Sequence, residues 1–190
     1  MTEPSVPSRL PADVTGEGDG IMIGNGPVRV DAFIDFLCPY CQRFELSSGE
    51  TLAKLVADGR ISLVYHPMNF LDQASTTNYS TRAAAASGCA SDGGRFAEYA
   101  HALYVNQPPE GGPGLSDTEL ADIGRSVGLP DTAFTACLSE APYRDWPPYV
   151  TTQAIDLGVE ATPTVLVAGT QVNAEAKAIA AAVADATGGR

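Results

Sequence analysis

Cys38 and Cys41, separated by Pro39-Tyr40, are the residues of this chain best suited to covalent chemistry. Two thiols at this spacing can close a small disulfide ring that passes two electrons to or from another dithiol. The run Val28-Arg29-Val30-Asp31-Ala32-Phe33-Ile34-Asp35-Phe36-Leu37 before them reads as a strand, so the pair falls at a strand-to-helix junction. Pro39 suits the first helical position, where its missing N–H costs nothing and its φ is preset. Cys38 then stands at the helix N-terminus, where free N–H groups and the macrodipole stabilise a thiolate. Cys41 lies one turn further in, shielded and placed to attack Cys38 in a mixed disulfide. Tyr40 is expected to be exposed beside Cys38 and to contact substrate. The tetrad reads as a redox motif.

The elements that must position this pair follow from periodicity. Positions 28, 30, 32, 34 and 36 are all apolar, which fits a strand packed hard on one face. The helix from Pro39 is expected to end at Asp58-Gly59, where glycine suits the C-cap. Ile61 to His66 then reads as a second strand ended by Pro67, giving a βαβ unit with a parallel pair. Ile21-Met22-Ile23 reads as a short edge strand, and the first twenty residues as a flexible lead-in. The middle of the chain is helical in character: Thr76–Ala90, Arg95–Val105, a helix capped by Ser116 and Glu119, Asp131–Leu138, and Tyr149–Leu157 after a proline-rich interruption at 142–148. Thr164–Val167 and Gln171-Val172 read as a hairpin, and Glu175–Ala186 as a closing helix. The order is βαβ, an all-helical insertion, then ββα: an α/β protein.

Bulk properties bound the partners. A chain of 190 residues with 44% hydrophobic content can build one sizeable core. A net charge of −12 argues against nucleic acid and anionic membranes as partners. No stretch reaches the roughly 20 apolar residues of a membrane span, and the polar opening segment does not read as a signal peptide. Cys89 and Cys137 complete the four cysteines, which permit three pairings. Pairing 38 with 41 leaves 89 for 137, and closing that loop would stabilise the fold by about 4 kcal/mol. The alternative is two separate buried thiols behaving as small hydrophobes. A zinc site is disfavoured, because Cys89 and Cys137 are single and His66 and His101 lack ligand spacing. His66 reads as a structural or surface residue, and Trp146 as packing for an irregular segment or as the wall of a peptide groove.

Asp35-Phe36-Leu37-Cys38-Pro39-Tyr40-Cys41, Phe44-Glu45 and Ala161-Thr162-Pro163-Thr164, with the helical stretch between them, resemble the DsbA-like thiol–disulfide oxidoreductases of the thioredoxin superfamily. The resemblance covers residues 20–187 and is greatest to actinobacterial members, some of which carry an extra cysteine pair in the helical region, as Cys89 and Cys137 do here. It implies a thioredoxin-like core over 21–70 and 158–187, with a helical insertion over 71–157. It also implies a cis-proline loop at Thr162-Pro163 that faces Cys38 and pairs with an extended substrate strand. The implied redox centre is the Cys38–Cys41 disulfide, with no metal or separate cofactor. The implied partners are cysteine-containing proteins and a redox partner that recycles the site; no dimerisation segment of the kind disulfide isomerases carry is read in the sequence, so a monomer is expected. Such a protein works outside the cytoplasm, any export segment being absent from this sequence. A cytoplasmic reductase shares the same residues with the opposite electron flow, and a polypeptide-binding module shares the scaffold. One position departs from the family pattern: Ala32 stands six residues before Cys38, where an acidic residue is common. Proton handling for Cys41 then falls to Glu45, one turn beyond it, or to Asp35.

Overall fold

The computed structural model describes residues 6–188. Strands β1 (Ile21–Ile23), β2 (Val28–Ile34), β3 (Ile61–Pro67), β4 (Thr164–Val167) and β5 (Thr170–Val172) form one sheet in the order β1-β3-β2-β4-β5. The β2/β3 pair is parallel, joined through helix α1 (Pro39–Ala57), and β4 lies antiparallel to β2. Helices α2 (Tyr79–Asp92), α3 (Phe96–Val105), α4 (Asp117–Ser126), α5 (Asp131–Glu140) and α6 (Trp146–Asp156) separate β3 from β4, and α7 (Ala176–Gly188) closes the chain. The βαβ–helical insertion–ββα order stands.

Local chemistry explains most boundaries. Pro39 opens α1, and Gly59 follows its end at φ +67°, a backbone conformation that costs glycine nothing. Ser116 and Glu119 form a reciprocal capping box on α4. Ala168 and Gly169, both at positive φ, make the two-residue turn between β4 and β5, whose twist suits a hairpin.

Three expectations change. Helix α6 starts at Trp146, three residues earlier than the periodicity suggests, because Pro147 and Pro148 sit in its first turn, where they cost no hydrogen bond. Trp146 is fully buried and its Nε1 donates to Gly18 O at 2.8 Å, so it packs the interior and lines no groove. The lead-in is not loose over its described part. Thr15 N donates to Gly20 O at 2.9 Å, Tyr149 Oη donates to Glu17 O at 2.7 Å, and Ser91 Oγ donates to Ala12 O at 2.7 Å. The remaining lead-in residues, 1–5, lie outside the described residues.

That docking explains why β2 is buried on both faces. Val30, Ala32 and Ile34 point to one side, while Asp31 and Phe33 are buried on the other. There His66 stacks on Phe33 at 4.2 Å between ring centroids and bonds Asp31 Oδ1 at 2.9 Å and Asp19 O at 2.8 Å. His66 thus joins the 15–20 segment to the sheet, a structural part. Burial is more than offset by the His66 and Arg29 contacts at Asp31, whose carboxyl is held below its ordinary value. On the opposite face Tyr65 packs on Phe96 of α3, and its hydroxyl donates to Glu45.

Candidate active site

The site is built where β2 hands over to α1. Cys38 caps the helix with extended backbone (φ −72°, ψ 119°), and Cys41 occupies the first turn. Cys38 and Cys41 are free thiols. Across from them the Thr162–Pro163 peptide, just before β4, is cis, and the Cys38 thiol donates to Thr162 O at 3.4 Å. Residues 124 positions apart in sequence meet here because β4 pairs directly beside β2.

The two sulfurs differ in environment. Cys41 is completely buried, whereas Cys38 keeps 4% exposure and lines an open groove of about 440 Å³ with Pro39, Tyr40 and Thr162. Tyr40 is 64% exposed at the rim, with the Arg43 guanidinium over its ring. The Cys38 thiol is lowered to about 6, chiefly by the Cys41 thiol, against burial, with help from the Thr162 side chain and the N–H groups of Cys41 and Tyr40. Burial pushes Cys41 well above its ordinary value, and the neighbouring Cys38 adds to this. Cys38 is the reachable and more readily ionised sulfur, and Cys41 is a covered thiol.

Below the pair lies Asp35, fully buried. Its carboxylate accepts from Leu37 N at 2.8 Å, Ser80 Oγ at 2.7 Å and Leu71 N at 2.9 Å. Burial raises it to about 6 despite these bonds, and Cys38 adds to the rise. The Asp35 amide donates to Cys41 Sγ at 3.5 Å. Glu45 is also buried, but its bonds go to Tyr65 at 3.2 Å and His101 at 3.1 Å; neither sulfur is among its hydrogen-bond partners. Ala32 is sealed within the sheet.

Three residues that no motif marks hold the loop. Gln107 Nε2 donates to Phe36 O at 2.9 Å and Cys38 O at 3.0 Å, Tyr104 Oη to Asp35 O at 3.2 Å, and Gln42 Nε2 to Tyr104 O at 2.7 Å. Nothing in local spacing announces them, because their partners are backbone carbonyls some 70 residues away. Remote from the loop, Cys89 on α2 is bonded to Cys137 on α5. Among the described residues no group of three or more His, Cys, Asp or Glu could hold a metal ion.

A family model described as thioredoxin matches residues 17–185. The chain is similar to the reduced disulfide bond oxidoreductase DsbG of Mycobacterium tuberculosis, with a TM-score of 0.79 and 31% identity over 91% of this chain and 89% of that one. The chain belongs to the thioredoxin family, in its DsbA-like group of thiol–disulfide oxidoreductases. Reduced DsbA of the same organism matches with a TM-score of 0.70 and 31% identity, over 80% of this chain and 84% of that one. The serine/threonine-protein kinase PknE of M. tuberculosis is 36% identical over 132 residues, 65% of this chain, and the chain spans 23% of that kinase's length. No described helix is long and apolar enough to cross a membrane.

Proposed function

We propose that this protein oxidises cysteine pairs of polypeptide substrates through Cys38 and Cys41. The observation that carries the direction is the asymmetry of the pair: a stabilised Cys38 thiolate at the groove and a covered Cys41. A stabilised thiolate favours the reduced enzyme, which makes the oxidised enzyme the stronger oxidant. A substrate thiolate attacks Cys38 Sγ; an S–S bond to substrate forms, and Cys41 leaves and takes up a proton. A second substrate thiolate then attacks the substrate sulfur of that mixed disulfide, and Cys38 leaves as thiolate. The substrate loses two electrons, and the enzyme becomes a dithiol.

We assign the proton exchange of Cys41 to Asp35, whose buried carboxyl is raised to about 6 by burial with a contribution from Cys38, and not to Glu45, whose hydrogen bonds go to Tyr65 and His101. Thr162 is the backbone edge against which the substrate strand lies. The Cys89–Cys137 bridge supports an oxidising, extracytoplasmic setting over a cytoplasmic one. The chain acts as a monomer and is recycled by a separate redox partner. Equilibration against glutathione, with alkylation of the thiols read by mass, tests the direction. A potential well above the thioredoxin end of the scale, about −270 mV, is the expected result; one at or below that end makes the protein a reductase.

A further inference from the structure

The groove beside Cys38 has a charge pattern that the exchange chemistry does not use. Its apolar surface comes from Tyr40, Phe70 and Leu71, and it is bordered by Glu110 and Glu160, both exposed. These two come from separate loops. Glu110 sits in the proline- and glycine-rich 107–114 stretch, pinned where Gly111 N donates to Ala74 O at 2.7 Å and Thr76 N to Gly112 O at 3.0 Å. Glu160 lies two positions before Thr162. Neither carboxylate has an ion-pair partner among the described residues. The nearby cation, Arg43, lies over the Tyr40 ring and does not line the groove.

We infer that Glu110 and Glu160 make this groove selective for substrate cysteines flanked by lysine or arginine, with an apolar residue alongside. The inference rests on the proposed exchange reaction and specifies its substrate class. An attacking thiolate brings negative charge into a groove bordered by two carboxylates, in a protein of net charge −12. Like charges oppose that approach, and adjacent cations on the substrate cancel the opposition and pair with the carboxylates. The same cations raise the thiolate fraction of the substrate cysteine. The apolar wall then takes the neighbouring side chain, leaving the peptide backbone to Thr162.

The test uses the oxidised full chain and two-cysteine peptides that differ only in lysine, serine or glutamate beside the attacking cysteine. Each rate is divided by that peptide's rate with hydroxyethyl disulfide, which removes the intrinsic reactivity of the thiol. The normalised lysine-to-serine ratio is expected to be roughly tenfold or more. It is expected to fall toward one in the Glu110→Gln, Glu160→Gln variant and in about 1 M salt, where the Debye length is about 3 Å. Both glutamates are exposed, and thermal unfolding verifies that the variant is folded. A ratio near one in the unsubstituted chain, or a ratio that survives the double substitution, overturns the selectivity and leaves the oxidase reading standing. Failure to oxidise any of the peptides overturns that reading and this inference with it.

Discussion

The Cys38 thiol owes its low value first to its partner: the neighbouring Cys41 thiol favours the ionised sulfur. Its consequence for stability has a definite sign. A thiol with an ordinary value of 9.0 drops to about 6 on folding. The stabilisation is therefore full above the unfolded value and lost as pH falls through the folded one. Oxidised protein has no such thiol. The stability of the reduced form relative to the oxidised form is expected to rise between pH 6 and 9, measured by denaturant unfolding of each. Asp35 titrates below that window, between its ordinary 3.8 and about 6, with the opposite sign: its raised value means that stability is lost as pH rises through this interval. Asp35→Asn removes a like charge beneath Cys38. The thiolate absorbance of the variant is expected to titrate below the midpoint of the unsubstituted chain. The melting temperature falls, because an amide cannot accept from Leu37, Leu71 and Ser80 as a carboxylate does.

Helix α1 supplies the N–H groups that face Cys38, yet α3 and the residues following it hold that N-terminus in place. Gln107 acts through the Phe36 and Cys38 carbonyls; it is a positioning residue. Gln107→Ala is expected to cost about 1–2 kcal/mol and to raise the Cys38 thiolate midpoint, because the Tyr40 and Cys41 amides are less firmly aimed. A fall in melting temperature with an unmoved titration would leave Gln107 a purely structural residue. Elements differed in how openly the sequence announced them. The start of α1 and the capping box of α4 are local matters, decided within a few residues of chain, and both were legible. The start of α6 was hidden because Pro142 to Pro148 looked like an interruption, when two of those prolines fit a first helical turn. The 6–20 segment is rich in glycine and charge, which reads as loose chain. What orders it is a set of hydrogen bonds to Asp92, Ser91, Trp146, Tyr149 and His66, all distant in sequence.

At the scale of the whole molecule, the helical insertion carries its own covalent staple between α2 and α5. Replacing Cys89 and Cys137 together by alanine is expected to lower unfolding stability by up to about 4 kcal/mol. The Cys38 thiolate titration should stay in place, since the bridge lies outside the exchange site. Denaturant unfolding and ultraviolet titration check the two halves separately. By itself the sequence determined the strand-to-helix placement of Cys38-Pro39-Tyr40-Cys41, the alternation of β2, and the βαβ–insertion–ββα order, because periodicity and capping are properties of neighbouring residues. Tertiary structure decided that the Asp35 amide meets the Cys41 sulfur while the Glu45 carboxylate is engaged with Tyr65 and His101. Both are acidic and near in number, but Asp35 follows β2 while Glu45 lies within α1, and the side chains that meet them come from elements distant in sequence. It also decided that Gln107, Glu110 and Glu160 border or brace the site, since the meeting of separate loops is set by how the sheet and the inserted helices pack.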